Sequence, residues 1–167
     1  MPPTEYMLIC RHAPSVPMRR KERDMSNNAH GQCICGSVKF TSEPVSEVAI
    51  CHCDICRRWC GGPGIAAHLK DTPEISGAEA ITWYESSDWA ERGFCKNCGS
   101  NLFYRLKGET PQYFVMVGAY DDQSVIKVSG QIFIDEKPAY YDFAGDIPSM
   151  TGEEVFASFL ENPEKQS

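Results

Sequence analysis

The sequence lacks any long apolar run. Near the N-terminus the longest such run is Met7 to Cys10, with Glu5 just before it, and it is too short for the apolar segment of a secretory signal. No stretch approaches the roughly 20 apolar residues that a membrane-spanning helix needs. We therefore expect a cytoplasmic protein with no membrane partner.

Basic residues are also scarce. The 16 lysines and arginines are outnumbered by 23 acidic residues, which gives a net charge of −7. Residues 1–25 carry five basic and three acidic side chains, so the rest of the chain carries −9. Binding to phosphate backbones depends on clustered Lys and Arg. We therefore expect no nucleic-acid partner.

The first residues differ in composition from the remainder. Residues 1–25 contain four prolines, a basic run from Arg19 to Arg23 and no sustained apolar period, which is typical of disordered segments. The whole chain, at 42% hydrophobic and 23% charged residues, has the composition of one globular domain. We predict a disordered extension over residues 1–29, one domain over 30–160 and a tail over 161–167. The sequence leaves the oligomeric state open.

Cysteine, by contrast, is abundant. Eight of the nine cysteines lie in three neighbourhoods, which are Cys33 with Cys35, then Cys51, Cys53 and Cys56 with Cys60 trailing, then Cys95 with Cys98. Thiolates two or three positions apart can close on one soft cation, and tetrahedral zinc is the commonest that accepts them. A disulfide framework fits less well, because such staples are typical of small secreted domains and 167 residues can bury a core. The clusters therefore predict at least one zinc.

The number of cysteines is large enough for two metal sites. The obvious division builds one closed site from four cysteines, Cys33, Cys35, Cys95 and Cys98. It leaves Cys51, Cys53 and Cys56 with no equally obvious fourth ligand. Four protein ligands are typical of a structural zinc, whereas three and an open position are typical of a zinc that does chemistry or binds an exogenous ligand.

Other arrangements of these residues remain open. Cys53 and Cys56 could share a site with the third pair, or Cys60 could close the second site. Cys53 to Cys56 also matches the C-x-x-C of redox proteins, although that motif is expected at a helix start in a βαβ unit. His52 would point to the opposite face of an extended segment, which favours a structural histidine over a ligand.

The local patterns beyond Gly31 are mostly those of short strands. Segments rich in β-branched and aromatic residues, bounded by Gly, Pro, Ser or Asp, occur at 37–41, 45–51, 64–69, 80–85, 101–106, 113–120 and 131–135. They predict antiparallel sheets with no helix between them. One helix is predicted near the end, where Thr151 and Glu154 form a capping box. Its apolar residues Val155, Phe156, Phe159 and Leu160 predict a face packed in the core.

Three blocks carry a resemblance to a known family. They are Gly31-Gln32-Cys33-Ile34-Cys35-Gly36-Ser37-Val38, Cys51-His52-Cys53-Asp54-Ile55-Cys56-Arg57-Arg58, and Ser86-Ser87 leading to Arg92-Gly93-Phe94-Cys95-Lys96-Asn97-Cys98-Gly99-Ser100. In order and spacing they resemble the family of the glutathione-dependent formaldehyde-activating enzyme and centromere protein V, over about residues 30–145. The resemblance implies a mainly β fold, the zinc-binding β-tent of antiparallel sheets around a structural zinc, with one short C-terminal helix.

The resemblance also implies roles for the cysteines. Cys33, Cys35, Cys95 and Cys98 match the family's structural zinc site, and Cys51, Cys53 and Cys56 match its second, thiol-accessible zinc. The implied reaction adds glutathione to formaldehyde to give S-(hydroxymethyl)glutathione, a carbon-sulfur lyase reaction. Arg57 and Arg58 could pair with glutathione carboxylates, or could offset the charge of the thiolates. The alternative function is a non-catalytic zinc-stabilised β module that carries a thiol or binds a protein.

Overall fold

The structure, a computed structural model, describes residues 28–161. These residues form eleven strands, two α-helices and three short 3-10 turns. The strands are β1 (Ala29–Gln32), β2 (Lys39–Ser42), β3 (Glu47–Cys51), β4 (Gly64–His68), β5 (Glu74–Ser76), β6 (Ile81–Ser87), β7 (Ala90–Cys95), β8 (Asn101–Leu106), β9 (Gln112–Met116), β10 (Lys127–Ile132) and β11 (Ser149–Met150). The helices are α1 (Asp54–Cys60) and α2 (Gly152–Glu161), and the turns cover Ala78–Ala80, Val117–Ala119 and Ile134–Glu136. The mainly β fold is therefore confirmed.

The strands form two sheets of unequal size. The large sheet has eight strands in the order β11-β10-β3-β4-β9-β8-β7-β6, and the small one has three in the order β1-β2-β5. Between β3 and β6 every neighbouring pair in the large sheet is antiparallel. The ends of β3 and β7, where Cys51 and Cys95 lie, are both part of the large sheet.

The hydrophobic core lies between the two sheets. Phe40 of β2 meets the ring of Phe103 of β8 edge-on at 5.6 Å and that of Tyr120 at 5.2 Å. Gly31 of β1 is bridged to Tyr120, and a Cβ at Gly31 would collide with the Phe40 ring and with a backbone carbonyl. The 3-10 turn at Val117–Ala119 can approach β1 this closely because residue 31 has no side chain. Burial of each large core side chain contributes roughly 1.5–3 kcal/mol, so this layer stabilises the scaffold of both cysteine clusters.

The strand predictions were correct in kind but incomplete. Each of the seven predicted segments overlaps an observed strand, while β1, β5, β7 and β11 were not predicted. Strands β5 and β11 have only three and two residues, and β7 contains charged residues and a glycine at its centre. The expectation of wholly antiparallel sheets was wrong for β10, which runs parallel to β3 and to β11. Parallel pairing of β10 with β3 is possible because the chain segment that connects them is long.

Helix α1 corrects the prediction that no helix lies between the strands. The Cys53 side chain accepts a hydrogen bond from the Cys56 backbone N–H at the helix start, and Gly61 ends the helix in a left-handed conformation with φ 70°. The helix has only seven residues, and none is buried. So short a helix shows no apolar period in the sequence, which is why the pattern did not reveal it.

The capping box of α2 is confirmed, but its predicted packing was wrong. The Thr151 backbone N–H donates to the Glu154 carboxylate at 2.7 Å, and the Glu154 backbone N–H donates to the Thr151 hydroxyl at 3.3 Å. Val155 is buried, whereas Phe156 is 60% exposed and Leu160 is 82% exposed. Phe159 is also exposed. The helix lies beside the edge strand β11, so only one line of its surface meets the rest of the protein.

Two expectations concern the chain ends and the membrane. The predicted extension over residues 1–29 lies outside the described residues except for Asn28 and Ala29, and the predicted tail over 161–167 does so except for Glu161. Within residues 28–161, no helix is long and apolar enough to cross a membrane.

Candidate metal centres

Four cysteines from two distant parts of the chain meet at one place, here called the four-cysteine cluster. Cys33 and Cys35 follow β1, Cys95 ends β7, and Cys98 lies in the turn before β8. Their Sγ atoms all lie within 4.8 Å of one another, with Cys33 to Cys35 at 3.5 Å and Cys35 to Cys95 at 3.7 Å. Tetrahedral zinc with Zn–S bonds of about 2.3 Å requires sulfur atoms about 3.8 Å apart. The donor set therefore fits zinc.

Tight turns bring these sulfur atoms together. Gly36 and Gly99 follow the cysteine pairs in left-handed conformations, with φ 73° and φ 75°, which only glycine adopts easily. The Val38 backbone N–H donates to Cys33 Sγ at 3.3 Å, and the Ser100 hydroxyl lies 3.3 Å from Cys98 Sγ. Burial raises the pKa of Cys98, but the hydrogen bonds of Ser100 and Cys35 together outweigh it and lower that pKa to about 6. Burial raises the pKa of Cys95 to about 11, so the turns favour the thiolate, the form that binds a metal, at Cys98 but not at Cys95.

A second group, here called the three-cysteine cluster, lies where β3 runs into α1. Cys51 is the last residue of β3, Cys53 caps α1, and Cys56 lies in the first turn of α1. Their Sγ atoms also lie within 4.8 Å of one another, and all three residues are half-buried. The Asp54 backbone N–H donates to the Glu136 carboxylate at 2.9 Å, which ties the helix start to the segment after β10. The group can therefore hold a metal ion with three sulfur ligands.

Both alternatives for the cysteines differ from the groups of sulfur atoms that the structure shows. Cys95 and Cys98 join Cys33 and Cys35, not Cys53 and Cys56, so the alternative pairing was wrong. Cys60, in the last turn of α1, is not part of either group of sulfur atoms. A Cβ at Gly64 would lie 3.4 Å from Cys56 Sγ and 3.8 Å from Cys60 Sγ, so both thiols pack against this glycine.

Arg92 is a neighbour of the three-cysteine cluster that the sequence patterns did not predict. Its side chain is buried, and Nη2 donates to Cys56 Sγ at 3.6 Å. Hydrogen bonds from Cys51 and Cys53, together with the charge and N–H of Arg92, lower the pKa of Cys56 to about 3. The sequence placed Arg92 in the third family block but predicted no strand there, so no face could be assigned to it. A strand predicted over β7 would have assigned Arg92 to one face of the sheet and so indicated its contact with the cluster.

His52 lies between two of the cysteines but points away from them. It is fully buried, with Nδ1 2.8 Å from the Tyr141 hydroxyl and Nε2 3.0 Å from Gln131 Oε1. The Tyr141 ring also stacks on the imidazole at 5.6 Å. Both ring nitrogens therefore have partners, which agrees with a structural histidine.

The two arginines of α1 have different surroundings. Arg57 donates from Nε to the His52 carbonyl at 2.8 Å, which anchors its guanidinium beside the chain that leads into α1. The Arg58 side chain is 83% exposed and forms an i,i+4 ion pair with Asp54 at 3.2 Å. Neither has a hydrogen bond to the cysteine sulfur atoms among the contacts of the described residues. The arginine that meets the thiolates is Arg92.

Comparison with known proteins agrees with this arrangement. The family model described as glutathione-dependent formaldehyde-activating enzyme matches residues 28–136, a range that contains both cysteine clusters. The chain belongs to the glutathione-dependent formaldehyde-activating enzyme family. The family assignment made from the three sequence blocks is thus confirmed.

Relatives of this family member occur in several organisms. An uncharacterized lyase of Schizosaccharomyces pombe is 35% identical over 133 residues, which cover 78% of this chain and 96% of that protein. A protein of Halomonas elongata, named as a candidate glutathione-dependent formaldehyde-activating enzyme, is 36% identical over 83 residues, or 44% of this chain and 53% of that protein. A crystal structure of a Rhodobacter sphaeroides protein has a TM-score of 0.47 at 23% identity and covers 72% of this chain and 98% of that chain. The match to the Schizosaccharomyces pombe lyase extends well beyond the cysteine motifs.

Proposed function

We propose that the protein is a cytoplasmic, zinc-dependent carbon-sulfur lyase that adds glutathione, or a similar thiol, to formaldehyde or a related small aldehyde. Membership of the family and the lyase name of the Schizosaccharomyces pombe relative support a glutathione-related lyase. The observation that carries the proposal is the three-cysteine cluster, whose half-buried sulfur atoms form a group of three with no fourth cysteine in it. Three ligands are the set that leaves a position for an exogenous thiol.

The two clusters have different proposed roles. The four-cysteine cluster would hold a structural zinc, because its four sulfur atoms complete a tetrahedral set. Cys51, Cys53 and Cys56 would hold a second zinc, which when bound lowers the pKa of a fourth, thiol ligand and keeps it as thiolate. Within residues 30–160, which we propose form the catalytic domain, β3 and α1 fix these three sulfur atoms on the large sheet.

The proposed reaction balances without an oxidant or a reductant. The glutathione sulfur forms a bond to the carbonyl carbon of formaldehyde, and the electron pair of the C=O π bond moves to the oxygen. The thiol loses its proton to water, and the oxygen takes up a proton from water. The product is S-(hydroxymethyl)glutathione. The protein binds and orients the thiol. A thiolate held in position reacts faster with the aldehyde, because the reaction then resembles an intramolecular one.

The arginines of α1 are the proposed contacts for the glutathione carboxylates. A guanidinium matches a carboxylate with two parallel hydrogen bonds. Arg58 is exposed, and its surface ion pair with Asp54 contributes little, so it can exchange that partner for a ligand. Arg57 is held by the His52 carbonyl through Nε only, and its remaining N–H groups are the ones proposed to bind.

Exchange NMR with ¹³C-labelled formaldehyde tests the activity. Formaldehyde and glutathione combine spontaneously, so the quantity to measure is the rate of exchange between free formaldehyde and S-(hydroxymethyl)glutathione. We expect this rate to rise in proportion to the concentration of the zinc-loaded protein. A rate equal to the spontaneous one would contradict the enzyme, and glutathione binding without faster exchange would favour the non-catalytic thiol carrier.

A further inference from the structure

We propose that Arg92 is a positioning residue that makes the three-cysteine cluster selective for an anionic fourth ligand, a thiolate, over a neutral one. The inference rests on the proposed function, because it concerns the ligand taken by the same cluster. It goes beyond that function by assigning the selectivity to one side chain on β7, which the family blocks contain but to which they give no role.

The position of Arg92 is fixed by the sheet. In the large sheet it pairs with Tyr84 of β6 and Tyr104 of β8, so the three side chains share one face. The guanidinium lies over the Tyr104 ring, 4.8 Å from its centre, and extends to Cys56 Sγ. Because Arg92 is only 5% exposed, it has little freedom to move away from the sulfur atoms.

The hydrogen-bonding capacity of Arg92 is only partly used. A guanidinium has five N–H donors and stays charged at every relevant pH. Its Nε is buried and has no hydrogen-bond partner, and no carboxylate among residues 28–161 forms an ion pair with it. A buried charge without a carboxylate is costly unless another anion compensates it. Its Nη2 donates to Cys56 Sγ, and the three cysteines are thiolates when they bind a metal, so these sulfur atoms are the anionic groups within its reach.

The charge balance explains why the fourth ligand should be anionic. Three thiolates and a divalent ion sum to −1, and a fourth thiolate makes the sum −2. With Arg92 included, these sums become 0 and −1. The positive charge of Arg92 therefore lowers the free-energy cost of adding a negative charge at this half-buried site. A neutral ligand leaves the sum unchanged and draws no such benefit. Removal of the guanidinium charge should therefore weaken thiolate binding selectively.

The four-cysteine cluster offers a contrast. Its contacts within the described residues are with serine hydroxyls and backbone N–H groups, and none is with an arginine or a lysine. Cys35 is exposed, so water can compensate part of that cluster's charge. A metal ion with four cysteine ligands takes no further ligand, so the net charge of the four-cysteine cluster does not change on ligand binding. The buried guanidinium is thus found at the cluster whose charge would change on binding.

Ligand titrations of the cobalt-substituted protein test the proposal. Cobalt replaces zinc and reports ligand binding by visible absorption, with 2-mercaptoethanol as the anionic ligand and imidazole as the neutral one. We expect R92Q to weaken 2-mercaptoethanol binding about tenfold or more, the effect of losing one nearby charge, and imidazole binding by less than about twofold. R92K, which keeps the charge, should retain most of the thiol affinity.

Arg105 supplies the matched control. It lies on the opposite face of the sheet, over the Trp83 ring at 3.8 Å and paired with Glu91 at 2.7 Å. R105Q should leave both titrations unchanged. Cobalt content and circular dichroism check that each variant is folded, and R92M is the second neutral variant if R92Q does not fold.

The outcomes separate this inference from the proposed function. Equal weakening of both ligands in the neutral variants, or unchanged thiol binding, would overturn the role of Arg92 and leave the proposed function standing. A wild-type protein that takes up two cobalt ions but binds no thiol would overturn both.

Discussion

Replacement of Cys33 with serine is expected to leave the domain unfolded. Cys33 is 1% exposed, and its cluster joins segments 60 residues apart, as the Cys35 and Cys95 pair shows. A structural zinc contributes on the order of 10 kcal/mol of folding free energy, about as much as the whole stability of a small domain. Circular dichroism should show loss of the β signal, and elemental analysis should show less than one zinc per chain.

Cys60→Ser is the matched control for this experiment. Cys60 is a half-buried cysteine that belongs to neither group of sulfur atoms. The variant should keep the β signal and the zinc content of the wild type. A Cys33→Ser protein that folds as the control does, with its zinc content unchanged, would show that the four-cysteine cluster does not hold a structural metal.

Replacement of Cys53 with serine should weaken thiol binding strongly while the fold remains. Loss of one of three sulfur ligands is expected to weaken metal and glutathione binding by about 100-fold or more, since even residues outside the ligand set cost 10- to 100-fold. The helix start should survive, because Cys53 caps α1 by accepting from the Cys56 N–H, and serine is a favoured residue for that role. Calorimetric titration with glutathione and zinc analysis measure the two effects.

The stability of the same variant tests the division of roles between the clusters. The thermal midpoint of Cys53→Ser should stay within a few degrees of the wild-type value. If the variant unfolds as Cys33→Ser is expected to, the three-cysteine cluster supports the fold and the proposed division is incorrect. If it binds glutathione as tightly as the wild type, the cluster is not the thiol site.

The cysteine spacing predicted both clusters because ligand sets are local in sequence. Cys51, Cys53 and Cys56 lie within six residues, and the pairs Cys33–Cys35 and Cys95–Cys98 are each held by one turn. The cysteine count favoured joining those two pairs and the family resemblance implied it, while the fold shows the four sulfur atoms together. The strands followed from β-branched and aromatic composition in the same local way.

The features that were missed depend on contacts between distant residues. Arg92 reaches Cys56, 36 positions away, through the packing of α1 on the large sheet, and no local pattern encodes that contact. The exposed face of α2 shows the converse, because Phe156 and Leu160 have the spacing of core residues yet meet solvent beside the edge strand β11. Helical periodicity predicts the helix but does not supply a surface for it to pack on.

Zinc content per chain tests the central claim most directly. It should be measured on protein purified under reducing conditions, before and after a mild chelator challenge, with and without excess glutathione. The account predicts two zinc ions per chain, one of which the chelator removes unless glutathione is present. A single zinc ion, removed or retained regardless of glutathione, would contradict a second, thiol-binding metal centre at Cys51, Cys53 and Cys56.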